Sequence, residues 1–229
     1  VANTAAAQEE AAIWGAVGNT AYNTEVRDTM ICTGEFSTLD YFEGSTSTPT
    51  ASDLQAYGAV LVYSDTAFAD PEAMGDILAD YVDYGRGVVI AAGSFAQGNT
   101  ALSGRLVDEG YMPLTMGTAM GAPGGNLEIA VVEGQEDHLI MHGVNTFLGG
   151  SSIQVSGSSL ASDAVLVAEW SNGVPAVVTK EIGNGRVVAL NMFPPSSISN
   201  AAFWDIQTYG DHLLANALLW AMDYERPGS

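Results

Sequence analysis

The stretch at residues 56–95 constrains the fold more than any other part of the sequence. Residues 59–63 and 87–92 are short apolar runs with β-branched residues, which are typical of strands buried on both faces. Between them, Asp70-Pro71-Glu72 marks the start of a helix, because an acceptor side chain, a proline and an acid favour its first turn. Strand, helix and strand in this order predict a βαβ unit and a parallel sheet with right-handed crossovers.

The second half of the chain changes in character. Short strands joined by Asn172-Gly173 and by Gly183-Asn184-Gly185, which are hairpin signals, predict an antiparallel meander. An apolar helix predicted at 209–224 is expected to return and cover the sheet. The other predicted elements are strands at 11–17, 36–42, 127–132, 153–156, 165–170, 175–181 and 186–191, and helices at 24–33 and 100–109.

Three further expectations concern local packing. Ile31 is expected to face inward from the first helix, and Cys32 is expected to be buried there as a small apolar residue. Because Cys32 is the only cysteine, the chain cannot form an internal disulfide. Residues 111–125 have no regular pattern, and they predict a mobile flap or an arm that packs on a neighbouring copy.

The charge of the chain excludes several classes of partner. Asp and Glu number 27 against six Lys and Arg, which gives a formal net charge of −21. Binding to nucleic acid or an anionic membrane needs clustered cations, so neither partner is expected. No apolar run approaches the roughly 18–20 residues of a membrane span. The lysine-poor polar surface, with a start that lacks Met, predicts a secreted protein at an extracellular or cell-surface location.

Several segments together resemble a known family. Residues 75–83 (GDILADYVD), the DHLI segment at 137–140 with Gly143-Val144, and the closing strand and helix at 185–190 and 213–221 carry the resemblance. They are similar to the flavodoxin-like core of class I glutamine amidotransferase-like domains, whose relatives include the ThuA-like proteins. The resemblance covers most of the chain and implies a flavodoxin-like, mostly parallel sheet flanked by helices, with an antiparallel extension.

The same resemblance implies a cysteine nucleophile at a strand-to-helix turn, and the sequence departs from the family there. No cysteine occupies such a turn, Cys32 lies in a different element, and Leu139 stands where proline is usual. Glutaminase activity is therefore not expected. The predicted organisation is a single domain over 1–229, with the parallel core at 1–132 and the antiparallel meander and closing helix at 133–229.

One hypothesis for catalysis involves a serine. Ser94 follows the second strand of the βαβ unit, and sites in parallel sheets form beyond the carboxyl ends of the strands. A serine nucleophile would need a histidine base and an orienting acid, for which His138 or His142 with Asp137 are candidates. The flanking residues do not form the usual nucleophile elbow, and a serine in a glycine-rich turn explains Ser94 equally well.

Two groups of residues have side chains that could bind a metal ion. His138 and His142 are four residues apart and would share one face of a helix. Asp65 and Asp70, near one end of the sheet, could supply oxygen ligands to Ca²⁺, although helix capping also explains Asp70. Glu136 and Asp137 belong to the group with the histidines, and Glu72 and Asp76 belong to the group with Asp65 and Asp70.

The predicted function is a non-enzymatic extracellular protein, either a binding module or a self-assembling structural subunit. A homo-oligomer is expected, with a carbohydrate or a protein as alternative ligands and no cofactor. The alternatives are a degenerate hydrolase or carbohydrate-active enzyme that uses Ser94, and a calcium-stabilised surface-layer type domain. Asn216, inside the last helix, is expected to form a hydrogen bond with a carbonyl of a neighbouring loop. The candidate binding rim consists of Asp65, Phe68, Phe95, Phe193 and Trp204.

Overall fold

A sheet of eight strands runs through the structure, a computed structural model that describes residues 9–151 and 153–223. The strands are β1 (Glu9–Ala16), β2 (Phe36–Glu43), β3 (Ala59–Ser64), β4 (Gly87–Ala91), β5 (Ala119–Gly121), β6 (Ile129–Val131), β7 (Gln154–Ser156), β8 (Val165–Trp170), β9 (Pro175–Ile182) and β10 (Gly185–Leu190). The helices are α1 (Ala21–Ile31), α2 (Ala51–Leu54), α3 (Pro71–Asp83), α4 (Arg105–Asp108) and α5 (Gly210–Ala221), and a 3-10 helix spans Leu139–Met141.

The strand order of the large sheet is β2-β1-β3-β4-β10-β9-β8-β6. The first five strands of this order are parallel, and β9, β8 and β6 follow as antiparallel neighbours. This arrangement confirms the mostly parallel α/β sheet with an antiparallel extension that the sequence predicts. The chain moves from β1 to β2 on one side and then to β3 on the other side. The strand order therefore reverses between β1 and β3, which is where open α/β sheets form sites.

Helices cover both faces of the sheet. Val26 of α1 and Leu214 of α5 belong to the core on one face, and Leu78 of α3 and Leu106 of α4 belong to the core on the other. The strands between these two layers are apolar on both sides, as buried parallel strands require. None of the helices in the described part of the chain is long and apolar enough to cross a membrane.

Local signals in the βαβ unit are confirmed by the backbone and the side chains. Asp70 is the N-cap of α3, with Pro71 in the first turn. Gly85 follows the end of α3 with a φ of 81°, a left-handed conformation that favours glycine. The hairpin signals are also confirmed, because β8, β9 and β10 pair in antiparallel order. These features arise from contacts within a few residues, which explains why the sequence predicts them.

Removing the cap of α3 is expected to lower stability modestly. Asp70 Oδ1 accepts a hydrogen bond of 3.0 Å from the backbone N–H of Ala73, which has no partner within the helix. We expect Asp70→Ala to lower the free energy of unfolding by about 1 kcal/mol in urea denaturation. Asp70→Asn keeps an acceptor and should lose less. Equal losses in the two variants would contradict capping as the role of Asp70.

Two predictions about the first helix are wrong. Ile31 is 40% exposed, and Cys32, which follows α1 as its C-cap, is also exposed. The helix begins at Ala21, earlier than predicted, and its buried face carries Asn23, Val26 and Met30. The buried positions of α1 therefore follow the helical spacing of these three residues, and Ile31 and Cys32 lie outside that buried face.

The segments after the βαβ unit also differ from prediction. The helix expected at 100–109 is reduced to the four residues of α4. Only the first part of the segment at 111–125, predicted to be a flap or an arm, packs in the core, since Met112 and Leu114 are buried, whereas residues 121–125 are exposed. Its strand β5 pairs with β7 in a separate two-stranded sheet, so the strand predicted at 153–156 does not join the meander.

Candidate functional site

The carboxyl ends of β1 and β3 meet at the reversal of the strand order. The backbone N–H of Gly18, after β1, donates a hydrogen bond of 2.7 Å to Asp65 Oδ1, after β3. The backbone N–H of Asp65 in turn donates to the carbonyl of Ala16 at 2.9 Å. Burial raises the pKa of Asp65 above its usual value. Asp65 therefore connects the two strand ends, and part of its carboxylate is already occupied by the protein itself.

A buried polar network lies directly beneath these strand ends. Asn23 is fully buried, and its Nδ2 donates to the carbonyl of Gly15 at 3.0 Å and to Glu43 Oε2 at 3.1 Å. Its Oδ1 accepts a hydrogen bond of 2.6 Å from the hydroxyl of Tyr63. Burial, with the nearby carboxylate of Glu25, raises the pKa of Tyr63 well above its ordinary value, so the hydroxyl remains a donor at neutral pH. The network joins α1 to β1, β2 and β3.

A second polar contact ties α1 to the chain that follows β10. Glu25 Oε1 accepts a hydrogen bond of 2.6 Å from Ser196 Oγ, and Oε2 accepts one of 3.1 Å from the Ser196 backbone N–H. Burial raises the pKa of Glu25, and the hydrogen bonds from Ser196 oppose that shift. The segment after β10 is therefore held against the outer surface of α1.

An open groove of about 600 Å³ lies between α1 and this segment. Its lining combines two carboxylates, several hydroxyl and amide groups, and Ile198, whose side chain is exposed. No histidine is among the lining residues. The groove can therefore exchange hydrogen bonds with a ligand while offering apolar contact on one side. The polar lining residues include Asn19, Thr24, Glu25, Asp28, Thr29 and Ser199.

The structure does not bring Ser94 together with the histidines. Ser94 is fully buried, and its Oγ donates a hydrogen bond of 2.6 Å to the carbonyl of Ala91 at the carboxyl end of β4. The ring of His138 lies 5.6 Å from that of Trp220, and the next residue, Ala221, packs on Gly87 at the opposite end of β4. The serine thus lies at the carboxyl end of β4, whereas His138 lies near its amino end.

His142 does not complete the proposed catalytic set either. Its side chain is exposed, and its backbone carbonyl accepts a hydrogen bond of 2.8 Å from Asn216 Nδ2 of α5. Asn216 also donates to the carbonyl of Ile140 at 3.0 Å, as expected of an amide that bonds to loop carbonyls. Burial lowers the pKa of His138, and its Nδ1 accepts a hydrogen bond from the Ile140 backbone N–H. These contacts fix the 3-10 helix against α5.

The predicted metal ligands are dispersed. Asp65 binds the Gly18 backbone, Asp70 caps α3, and Asp137 adjoins His138 at the other edge of the sheet. Asp76 Oδ1 accepts a hydrogen bond of 2.8 Å from the Arg105 backbone N–H. Within residues 9–151 and 153–223, no three His, Cys, Asp or Glu side chains converge as a metal site. The acids near the start of α3 therefore act in separate local contacts.

The predicted aromatic rim belongs to the core. Phe68 and Phe95 are buried on one face of the sheet, and Phe193 and Trp204 are buried on the other. Trp204 Nε1 donates a hydrogen bond of 2.7 Å to the carbonyl of Pro194, so its polar atom is also satisfied internally. The four rings stabilise the loops at this edge and do not present a stacking surface to a ligand.

Asn23, which joins α1 to the strand ends, and Glu25, which lines the groove, are not among the residues predicted from the sequence. A signal for Asn23 was present, because it shares a helical face with Val26 and Met30 at i, i+3 and i+7. A polar side chain on an apolar face needs buried partners, which predicts a network. No comparable signal exists for the contact between Glu25 and Ser196, since 171 residues separate them in the chain.

Solved structures of other proteins share this fold, whereas no model of a protein family and no curated protein sequence matches the chain. A ThuA-like protein from Parabacteroides merdae is 16% identical with a TM-score of 0.66, over 93% of this chain and 90% of the other. A cytoplasmic protein from Salmonella typhimurium is 12% identical with a TM-score of 0.64, over 93% and 98%. A glutamine amidotransferase from Thermotoga maritima is 10% identical with a TM-score of 0.57, over 94% and 99%. The ThuA-like, amidotransferase-like fold implied by the sequence is thereby confirmed, and at these identities the similarity concerns the fold alone.

Proposed function

We propose that the chain is a non-enzymatic, extracellular binding domain whose groove beside α1 takes a neutral carbohydrate. The lining of that groove is the observation that carries the proposal. Carboxylate, amide and hydroxyl groups, as on Glu25, Asn19 and Ser199, are suited to the hydroxyls of a sugar, and Ile198 offers an apolar contact. A neutral ligand also suits this groove, because its lining includes the carboxylates of Glu25 and Asp28 and no lysine or arginine.

The position of Ser94 supports binding rather than hydrolysis. Its hydroxyl is buried and hydrogen-bonded to the backbone, and His138 lies at the other edge of the sheet. A binding role is preferred to self-assembly because the groove beside α1 offers a ligand site, while the first part of the segment 111–125 packs in its own core. The extracellular setting is supported by the lysine-poor, polar composition.

Filling the groove with a large side chain is expected to abolish binding. Thr24 lines the groove, so Thr24→Trp should occupy the space of the ligand. Titration calorimetry with cellohexaose, xylohexaose and mannohexaose should show binding of at least one sugar to the native chain. The variant should weaken that binding at least about tenfold, because each 1.4 kcal/mol of lost contact is a factor of ten.

Ile31→Trp is the matched control. Ile31 is also a β-branched residue of α1, it is exposed, and it does not line the groove, so binding should stay unchanged. Reducing-end assays on the same mixtures test the absence of turnover. A native chain that binds none of the three sugars would contradict the carbohydrate assignment, and release of new reducing ends would contradict a non-enzymatic role.

A further inference from the structure

A second groove lies on the other side of the sheet, between α2 and the C-terminal half of α3. It has a volume of about 270 Å³, and Leu54 and Tyr81, both buried, form its inner surface. Ile77 and Tyr84 line it further out, and Tyr84 is 82% exposed, more than any other large apolar side chain in the described residues. The groove thus offers aliphatic and aromatic contacts at the surface of a chain that is otherwise polar.

Arg86 lines this groove, and its guanidinium has no hydrogen bond or ion pair among the described residues. Every other Lys or Arg side chain in residues 9–151 and 153–223 has a polar partner. Arg27 pairs with Asp28 at 2.6 Å, Arg186 with Asp223 at 2.6 Å, Arg105 with Glu109 at 3.0 Å, and Lys180 donates to the carbonyl of Gly110 at 2.7 Å. A guanidinium without a partner is notable in a chain with 27 acidic residues.

The one acid that lines the groove, Asp80, already has a cationic partner in Arg105, which also pairs with Asp83 and Glu109. Asp80 accepts a hydrogen bond from Arg105 Nη1, in an ion-pair network in which Arg105 also contacts Asp83 at 3.0 Å. The backbone of Arg86 is fixed at the same time, because its N–H donates to the carbonyl of Tyr81 at 3.2 Å. The positive charge of Arg86 therefore lies beside an apolar surface.

We propose that this groove binds a small organic carboxylate with a flat apolar body, and that Arg86 holds the carboxylate. A planar guanidinium matches a carboxylate through two parallel hydrogen bonds, which gives the ligand its orientation. The apolar body would lie against Leu54, Ile77 and Tyr81, with the ring of Tyr84 beside it. The site is separate from the groove beside α1, so it does not depend on the proposed carbohydrate binding.

The test compares two probes that differ in charge and hardly in shape, 2-naphthoate and its neutral amide, 2-naphthamide. Their binding is measured by chemical-shift titration of the ¹⁵N-labelled chain. We expect saturable binding of 2-naphthoate with shifts at residues around Tyr84, and binding of the amide weaker by about fivefold, the range of a partly exposed ion pair. Arg86→Gln should remove that preference and leave the affinity for the amide unchanged.

Two further variants make the result decisive. Arg27→Gln removes an arginine of α1, outside this groove, and should change neither affinity. Tyr84→Ala should weaken both probes, since the ring contributes apolar contact to each. The proposal would be overturned by an absence of saturable binding, by equal affinities for the two probes in the native chain, or by an equal effect of Arg27→Gln and Arg86→Gln.

Discussion

Replacing Gly93 with alanine is expected to lower the free energy of unfolding by about 4 kcal/mol or more. Gly93 follows β4 with a φ of 96°, a conformation that costs an L-residue about 1–2 kcal/mol. A Cβ at this position would also overlap the backbone carbonyl oxygen of Ser64 at the end of β3. The two strand ends are part of the central sheet and cannot separate without loss of packing on both faces.

Gly98→Ala is the control that separates these two causes. Gly98 lies in the loop that follows, also with a positive φ, of 130°, but a Cβ there would have no atom within 4 Å. It should therefore lose only the conformational part, about 1–2 kcal/mol. Urea denaturation of both variants, with the m-value compared to that of the native chain, measures the difference. Equal losses would show that close approach to Ser64 contributes nothing to the effect.

The parts of the fold that sequence could predict are those with local causes. The cap at Asp70, the left-handed Gly85 and the hairpin at Asn172-Gly173 each depend on residues only a few positions away. Alternating apolar strands and helices then limit the topology, because crossovers between parallel strands are right-handed. The resemblance to amidotransferase-like domains agreed with this architecture, and the structure confirms both.

The parts that could not be predicted depend on distant contacts. Residues 111–125 look irregular in sequence, and only the pairing of β5 with β7 shows how part of this segment is held by its own domain. The rim was predicted at the carboxyl ends of the strands, yet aromatic residues such as Phe95 and Trp204 are buried in the core. An apolar ring at a strand end is as useful for packing as for binding, and sequence alone does not distinguish the two.

The attachment of α1 to the strand ends involves a polar network that can be tested directly. Asn23→Leu is expected to lower the free energy of unfolding by about 3 kcal/mol, because leucine removes the hydrogen bonds of a buried amide and leaves the buried Tyr63 hydroxyl without an acceptor. The Tyr63 hydroxyl loses its acceptor, and the carbonyl of Gly15 and the carboxylate of Glu43 each lose a donor. Leucine is similar to asparagine in size, so the loss reflects unsatisfied polar groups more than a cavity.

Tyr63→Phe distinguishes this explanation from a simple packing defect. Phenylalanine removes the hydroxyl that bonds to Asn23 and should cost about 1 kcal/mol by itself. Asn23→Leu leaves the Tyr63 hydroxyl without an acceptor. When Tyr63→Phe is combined with it, that unpaired hydroxyl is removed. The double variant should therefore be more stable than the sum of the two losses predicts, by roughly 1 kcal/mol or more. Strict additivity in urea denaturation would mean that Asn23 and Tyr63 contribute independently, and that the hydrogen bond between them does not help to hold α1 to the strand ends.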